Sequence, residues 1–243
     1  MMPALLLIAH GSRDPRHAAT VAALVGQVRA QRPALEVATA YLDHCAPRIP
    51  QVVGRLADAV AVPLLLNRAF HAKHDIPAAL RAAGSSLPLA DVLGPSPLLL
   101  AALDRRLAEA GLDVGSAAVR SRTGVVLAAA GSSDPAADAA TRAVAAEWRR
   151  TRGWAAAEVA YASAAGPRVP DALAALRAAG ATHTAVAPYL LAPGLLPDRI
   201  AAASTDADTV ADPLGPAPEL AALLLQRYDR ARLTAPVVPA LTA

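Results

Sequence analysis

Short apolar runs alternate along this chain with longer segments in which apolar residues recur every three or four positions. Residues 4–9 are continuous and apolar and stop at a Gly turn, which predicts a buried strand. Val21, Leu24, Val25 and Val28 share one helical face over 15–31, with Asp14 as N-cap, Pro15 at the first helical position and Pro33 as the stop. The same reasoning predicts a strand over 35–42, a short helix over 49–59, a strand over 61–66 and a loop over 67–74. A helix capped by Asp75 then runs to Gly84, followed by a weak strand over 88–93 and a helix over 97–110. Residues 111–122 read as a linker. Beyond it, strands are expected over 124–129, 156–162, 184–191 and, weakly, 208–211, with helices over 135–151, 168–179, 197–203 and 217–231. Strands alternating with helices imply βαβ units. The expected fold class is α/β: two tandem doubly wound domains, 1–115 and 116–231, each a roughly four-stranded parallel sheet flanked by helices, then a loose tail over 232–243.

The two domains read as copies of one unit. Gly131, Ser132, Asp134, Pro135, Tyr161, Pro167, Arg168 and Pro170 each lie 120 positions beyond Gly11, Ser12, Asp14, Pro15, Tyr41, Pro47, Arg48 and Pro50. The second copy then gains five residues, so that Pro188 answers Pro63.

Composition narrows the function. The net charge of +3 comes without a block of like charges, and aromatics make up only 3%, which argues against nucleic-acid binding and base stacking. One cysteine, Cys45, excludes an internal disulfide or a multi-cysteine metal site, reads as a small apolar filler and fits a cytoplasmic location. No signal peptide is expected, since the apolar run at the start is short and lacks a preceding basic region; no run approaches a membrane span. There is no G-x-G-x-x-G after a strand, no G-x-x-x-x-G-K-[ST] and no H-E-x-x-H.

Five of the six histidines lie in the first 74 residues: His10, His17, His44, His71 and His74. His10 follows the first strand, Asp43 the second, and His71 comes a few residues past the third. In a sheet of order 2-1-3-4 the crevice lies beyond the carboxyl ends of strands 1 and 3. With strands ~4.8 Å apart, the three side chains can converge within roughly 10 Å. Two imidazoles and a carboxylate suit a divalent first-row metal or proton movement near neutral pH. Their counterparts in the second copy are Ala130, Ser163 and Leu196, so the set is lost together while the turn residues stay. His44 and His74 are secondary candidates; His71 and His74 would share a metal at i, i+3 if that segment were helical. His17 is expected on an exposed helical turn, and His183 has no companions. Ser12 reads as a turn hydrogen-bonder, since no G-x-S-x-G frame surrounds it.

The residues His10-Gly11-Ser12-Arg13-Asp14-Pro15, Tyr41-Leu42-Asp43, and Pro63-Leu64-Leu65-Leu66 with His71 and Asp75-Ile76-Pro77 resemble the sirohydrochlorin chelatases. These are the cobalt- or iron-inserting enzymes of cobalamin and siroheme synthesis, whose long members carry two such halves. The resemblance places the family's two active-site histidines on His10 and His71, as metal-binding and catalytic residues. It places the acidic position, commonly Glu, on Asp43. The segment before His71, usually glycine-rich, is Asn67-Arg68-Ala69-Phe70 here. The resemblance implies ATP-independent insertion of Co2+ or Fe2+ into sirohydrochlorin or a related tetrapyrrole, with no cofactor beyond the metal substrate (Co2+, Fe2+ or Ni2+). The macrocycle's carboxylates make Ser12, Arg13, Arg48, Arg68 and Lys73 substrate-binding candidates. The expected partner is the tetrapyrrole alone, with neither nucleic acid nor membrane, and the expected state is a monomer with pseudo-twofold halves. The alternative is a non-catalytic metal or tetrapyrrole carrier with the same site. A histidine phosphatase is a third reading, as His10-Gly11 resembles the start of that motif, but Ala9 stands where its arginine would be.

Overall fold

The computed structural model describes residues 2–56, 58–67, 74–163 and 166–234; Arg68, His71, Lys73 and the tail beyond 234 lie outside the described residues. The chain opens with β1 (Ala4–Ala9), buried along its whole length. Leu5, Leu7 and Ala9 enter one apolar cluster, and Leu6 and Ile8 enter another, as the two-residue period of a strand requires. The helix α1 (Pro15–Gln31) follows, its Asp14 cap accepting from the Arg16 backbone N–H at 2.9 Å. The first half continues through β2 (Val37–Tyr41), α2 (Ile49–Val53), β3 (Ala59–Pro63), α3 (Ile76–Ala82) and α4 (Pro97–Glu109). A short α5 (Ala117–Arg120) occupies the expected linker. The second half comprises β4 (Thr123–Ala129), α6 (Pro135–Arg152), β5 (Ala156–Tyr161), α7 (Val169–Ala178), β6 (His183–Pro188), α8 (Leu195–Ala202), β7 (Thr209–Val210) and α9 (Pro218–Thr234).

Both sheets are parallel, with order β2-β1-β3 in the first half and β5-β4-β6-β7 in the second. The first strand of each copy is central, as expected. The first sheet has three strands, not four. Its expected fourth strand survives as a single bridge, Ala61 to Leu89, because Pro88 brings no N–H to a ladder. The third strand also begins earlier than the apolar run indicates. Its register pairs Ala4 with Ala59 and Ile8 with Pro63, leaving Leu65 and Leu66 beyond the strand, on a cleft wall. A continuous apolar run carries no alternation from which its register could be read.

Two helices do not stay with their own sheets. The helix α4 packs on β6 of the second half, and α9 packs on β3 and α1 of the first. Polar contacts repeat this exchange. Arg106 of α4 donates to the Leu214 carbonyl at 3.0 Å, and Arg227 of α9 donates to the Leu93 carbonyl at 2.7 Å. Arg152, the last residue of α6, pairs with Asp104 of α4 at 2.6 Å, while its counterpart Arg32 pairs with Asp229 of α9 at 2.7 Å. One apolar cluster accordingly runs from Leu5 through Trp148 to Tyr228 and belongs to both halves. Each sheet also has a private cluster on its other face, around Ile49 and Ile76 in one and Leu173 and Ile200 in the other.

Candidate functional site

The βα turn after β1 is held by backbone. Leu42 N–H donates to the Ala9 carbonyl at 3.0 Å and Asp43 N–H to the His10 carbonyl at 2.8 Å, so the loops after β1 and β2 lie against each other. Gly11 makes that approach possible. Its φ is +91°, and a Cβ there would stand 1.7 Å from the Asp43 carbonyl oxygen. His10 emerges from this turn half-buried, its Nδ1 3.0 Å from the Gly11 carbonyl. A carbonyl can only accept, so Nδ1 carries the proton and the ring's lone pair is on Nε2. That tautomer suits a metal ligand or a proton acceptor.

His10 lines a cleft of about 480 Å³ between the two halves. Ser12, His17, Leu66 and Asn67 share its first-half wall; Tyr161, Tyr189 and Leu196 line the opposite wall. The volume falls in the usual range for small-molecule sites. Asn67 Nδ2 donates across the cleft to Thr141 Oγ1 at 3.1 Å, and exposed Arg16 links Asp14 to Asp198 of α8 at 2.6 Å each. Tyr161 donates its hydroxyl to Asp138; burial and that carboxylate push its pKa up to about 12. Tyr189 is buried with no hydrogen-bond partner for its hydroxyl among the described residues, and burial raises its pKa further.

The other expected residues divide. Ser12 lines the cleft and accepts from Asp14 N–H at 3.1 Å. Asp43 does not line it. Its carboxylate accepts from the His44 N–H at 2.8 Å and from Arg48 Nη1 at 3.0 Å, and those two bonds, in that order, hold its pKa below the ordinary aspartate value. His44, in the left-handed region at φ 60°, has Nε2 3.4 Å from the same carboxylate. Arg48 also donates to the Leu42 carbonyl at 2.6 Å; Arg168, its counterpart in the second copy, donates to the Tyr161 carbonyl at 2.8 Å. The two acceptors differ by one position, but in each copy the arginine braces the end of a strand, including the copy that lacks the histidine turn. Arg13 and His74 are exposed. Among the described residues, no group of three or more His, Cys, Asp or Glu side chains is gathered to hold a metal ion. No helix among them is long and apolar enough to cross a membrane.

His17 corrects the sequence reading. It is on the cleft wall, not on an exposed turn: its ring lies 6.5 Å from that of Tyr41, and its Nδ1 is buried. Burial first, then the neighbouring His10, keep its pKa below the ordinary histidine value. The signal was helical phase, because His17 continues the buried stripe Val21, Leu24, Val28 at spacings of four, three and four. Tyr189 carried no such signal, since its counterpart in the first copy is Leu64.

Comparison with known proteins agrees with this geometry. A sirohydrochlorin ferrochelatase from Priestia megaterium is 28% identical over 209 residues, which is 82% of this chain and 77% of that protein. A sirohydrochlorin cobaltochelatase from the same organism is 27% identical over 214 residues, covering 82% of this chain and 67% of that one. Among solved structures, SirB from Bacillus subtilis with Fe3+ shares the fold, with a TM-score of 0.79 at 22% identity over 96% of both chains. The family model of CbiX matches twice, over residues 4–110 and 124–231, once for each copy of the repeat. A chain that carries the match in both halves, with the histidine turn in the first, belongs to the CbiX family.

Proposed function

We propose that this protein inserts Co2+ or Fe2+ into sirohydrochlorin, or a closely related tetrapyrrole, without ATP and with no cofactor besides the metal it inserts. The observation that carries the reading is His10 Nε2: its lone pair is fixed by the Nδ1–H contact to Gly11, on the wall of a cleft between the two halves. The two similar Priestia megaterium proteins, named as an iron and a cobalt chelatase, support the same chemistry.

Metallation requires the cation to shed water and two pyrrolic N–H protons to leave the ring. His10 and His71 hold the incoming cation and accept protons. The counterpart of His71, Leu196, lines the cleft, which supports the pairing. Asp43 acts from behind: its N–H holds the His10 carbonyl, while its carboxylate stays with Arg48 and His44. Ser12, Arg13, Arg68 and Lys73 are the groups proposed to bind the ring's carboxylates. The protein works as a monomer, the second half supplying the far wall of the cleft.

The test is metallation of sirohydrochlorin followed by absorbance, with each metal and no nucleotide. Wild type should accelerate the reaction, and His10→Ala and His71→Ala should each lower kcat/KM by about a hundredfold or more. A wild-type protein that retains the ring but metallates no faster than buffer would be a carrier, and the proposal would fail.

A further inference from the structure

His17 is one of two cleft residues, with Tyr189, that carry a buried polar atom without a hydrogen-bond partner among the described residues. Among the described residues neither of its ring nitrogens has a hydrogen-bond partner, although Nδ1 is buried and the ring lies 6.5 Å from that of Tyr41. A buried polar atom left without a partner calls for a reason. Its fold role does not supply one. The counterpart of His17 is Ala137, which is buried in the same place on α6 and lines the same cleft, and α6 forms without an imidazole there.

The tautomer follows from the burial. Neutral imidazole has one N–H and one lone pair. An orphaned N–H is rarer in protein interiors than an under-satisfied acceptor, so the lone pair belongs on buried Nδ1 and the N–H on Nε2. This is the opposite arrangement to His10, where Nδ1 donates to Gly11. The two rings on one wall are therefore complementary. His10 offers a lone pair, and His17 offers a proton donor. A metal on His17 Nε2 would need Nδ1–H, buried with nothing to accept it, whereas metal-binding histidines regularly donate that proton.

We propose that His17 Nε2–H binds a side-chain carboxylate of the polycarboxylated macrocycle, setting where the ring sits relative to His10. This rests on the metallation reading above and names a substrate contact within it. His17 is then a residue of ring recognition, not of metal binding.

The experiment measures two constants for wild type, His17→Phe and His17→Gln: the Kd for metal-free sirohydrochlorin by its fluorescence, and the separate KM values for ring and Co2+ in metallation. A hydrogen bond to a charged acceptor predicts a Kd and ring KM raised about tenfold or more in His17→Phe. The KM for Co2+ should stay within about twofold, and His17→Gln, which keeps an N–H donor, should recover most of the loss. Melting curves check that both variants fold. An unchanged ring Kd in His17→Phe overturns the inference while leaving the metallation reading intact, and so does a rise confined to the KM for Co2+. A wild type that does not metallate removes the reading itself.

Discussion

The turn after β1 and the turn after β4 have nearly the same backbone and opposite chemistry. Gly11 and Gly131 both have φ +91°. Ser12 and Ser132 each accept from the aspartate N–H two residues on at 3.1 Å, and Asp14 and Asp134 each cap a helix at 2.9 Å. The neighbouring loops are joined by Asp43 N–H to His10 O at 2.8 Å in one copy and Ser163 N–H to Ala130 O at 2.9 Å in the other. On this shared frame the first copy presents His10 and His17, and the second Ala130 and Ala137. The frame is present in both places; the imidazoles are present in one. A repeat thus separates what a turn needs in order to exist from what it needs in order to react.

The largest effect should come from removing the silent copy. A chain lacking residues 116–243 loses α9 from β3 and α1, and leaves α4 without β6 and α9, on which it packs. It should fail to melt cooperatively as a monomer, or should dimerise, by calorimetry and size-exclusion chromatography; an active, cooperatively folded monomer would refute the exchange as a folding requirement. Next are the paired glycines. A Cβ at Gly11 would stand 1.7 Å from the Asp43 carbonyl oxygen, and one at Gly131 2.1 Å from that of Ser163. Gly11→Ala and Gly131→Ala should each cost about 3 kcal/mol in denaturant titration, from strain at positive φ and the displaced loop. Only Gly11→Ala should also reduce metallation by the molecules that remain folded. If both variants lose activity equally, the two turns are less separable than their side chains imply.

The smallest effect distinguishes the two clasps of the exchanged helices. Arg32 holds the Asp229 carboxyl below its ordinary value, so this pair adds stability above pH 3.8 that is lost as pH falls through the lower folded value. Asp229 is a third exposed, and screening limits the gain to at most about 1 kcal/mol. Asp104, in the other clasp, is shifted the opposite way: burial raises it, ahead of the lowering by Trp148 and Arg152. Its contribution therefore declines as pH rises from 3.8 through the raised folded value. Melting temperatures from pH 3 to 7 should show Asp229→Asn losing its deficit against wild type on acidification. Asp104→Asn, which keeps an acceptor for the Trp148 indole N–H, should gain on wild type as pH rises. Parallel curves for the two variants would contradict this assignment.

Much of the scaffold was legible because it rests on local chemistry. Asp14-Pro15 and Asp134-Pro135 announce their helices by capping, and β1 by an apolar run closed with glycine. The same run puts His10 at a strand end, and the constant spacing between copies identifies Ala130 as its counterpart. The exchange of α4 and α9 was not legible, since a periodic apolar face says that a helix is covered but not by which sheet. The strand ends put Asp43 in one converging set with His10 and His71, yet its carboxylate is held by the His44 N–H and by Arg48, and it does not line the cleft. Proximity of strand ends fixes where Cα atoms lie and leaves side-chain partners undetermined.

The exchanged helices also bear on how a ligand meets this cleft. Neither half can swing outward unless Leu99, Leu103 and Leu107 of α4, or Tyr228 of α9, leave a core in which they are fully buried. A gap between interlocked bodies widens only at the expense of that shared core. The freedom lost in bringing the two walls together is lost once, during folding, and every incoming flat ring finds the opening already set.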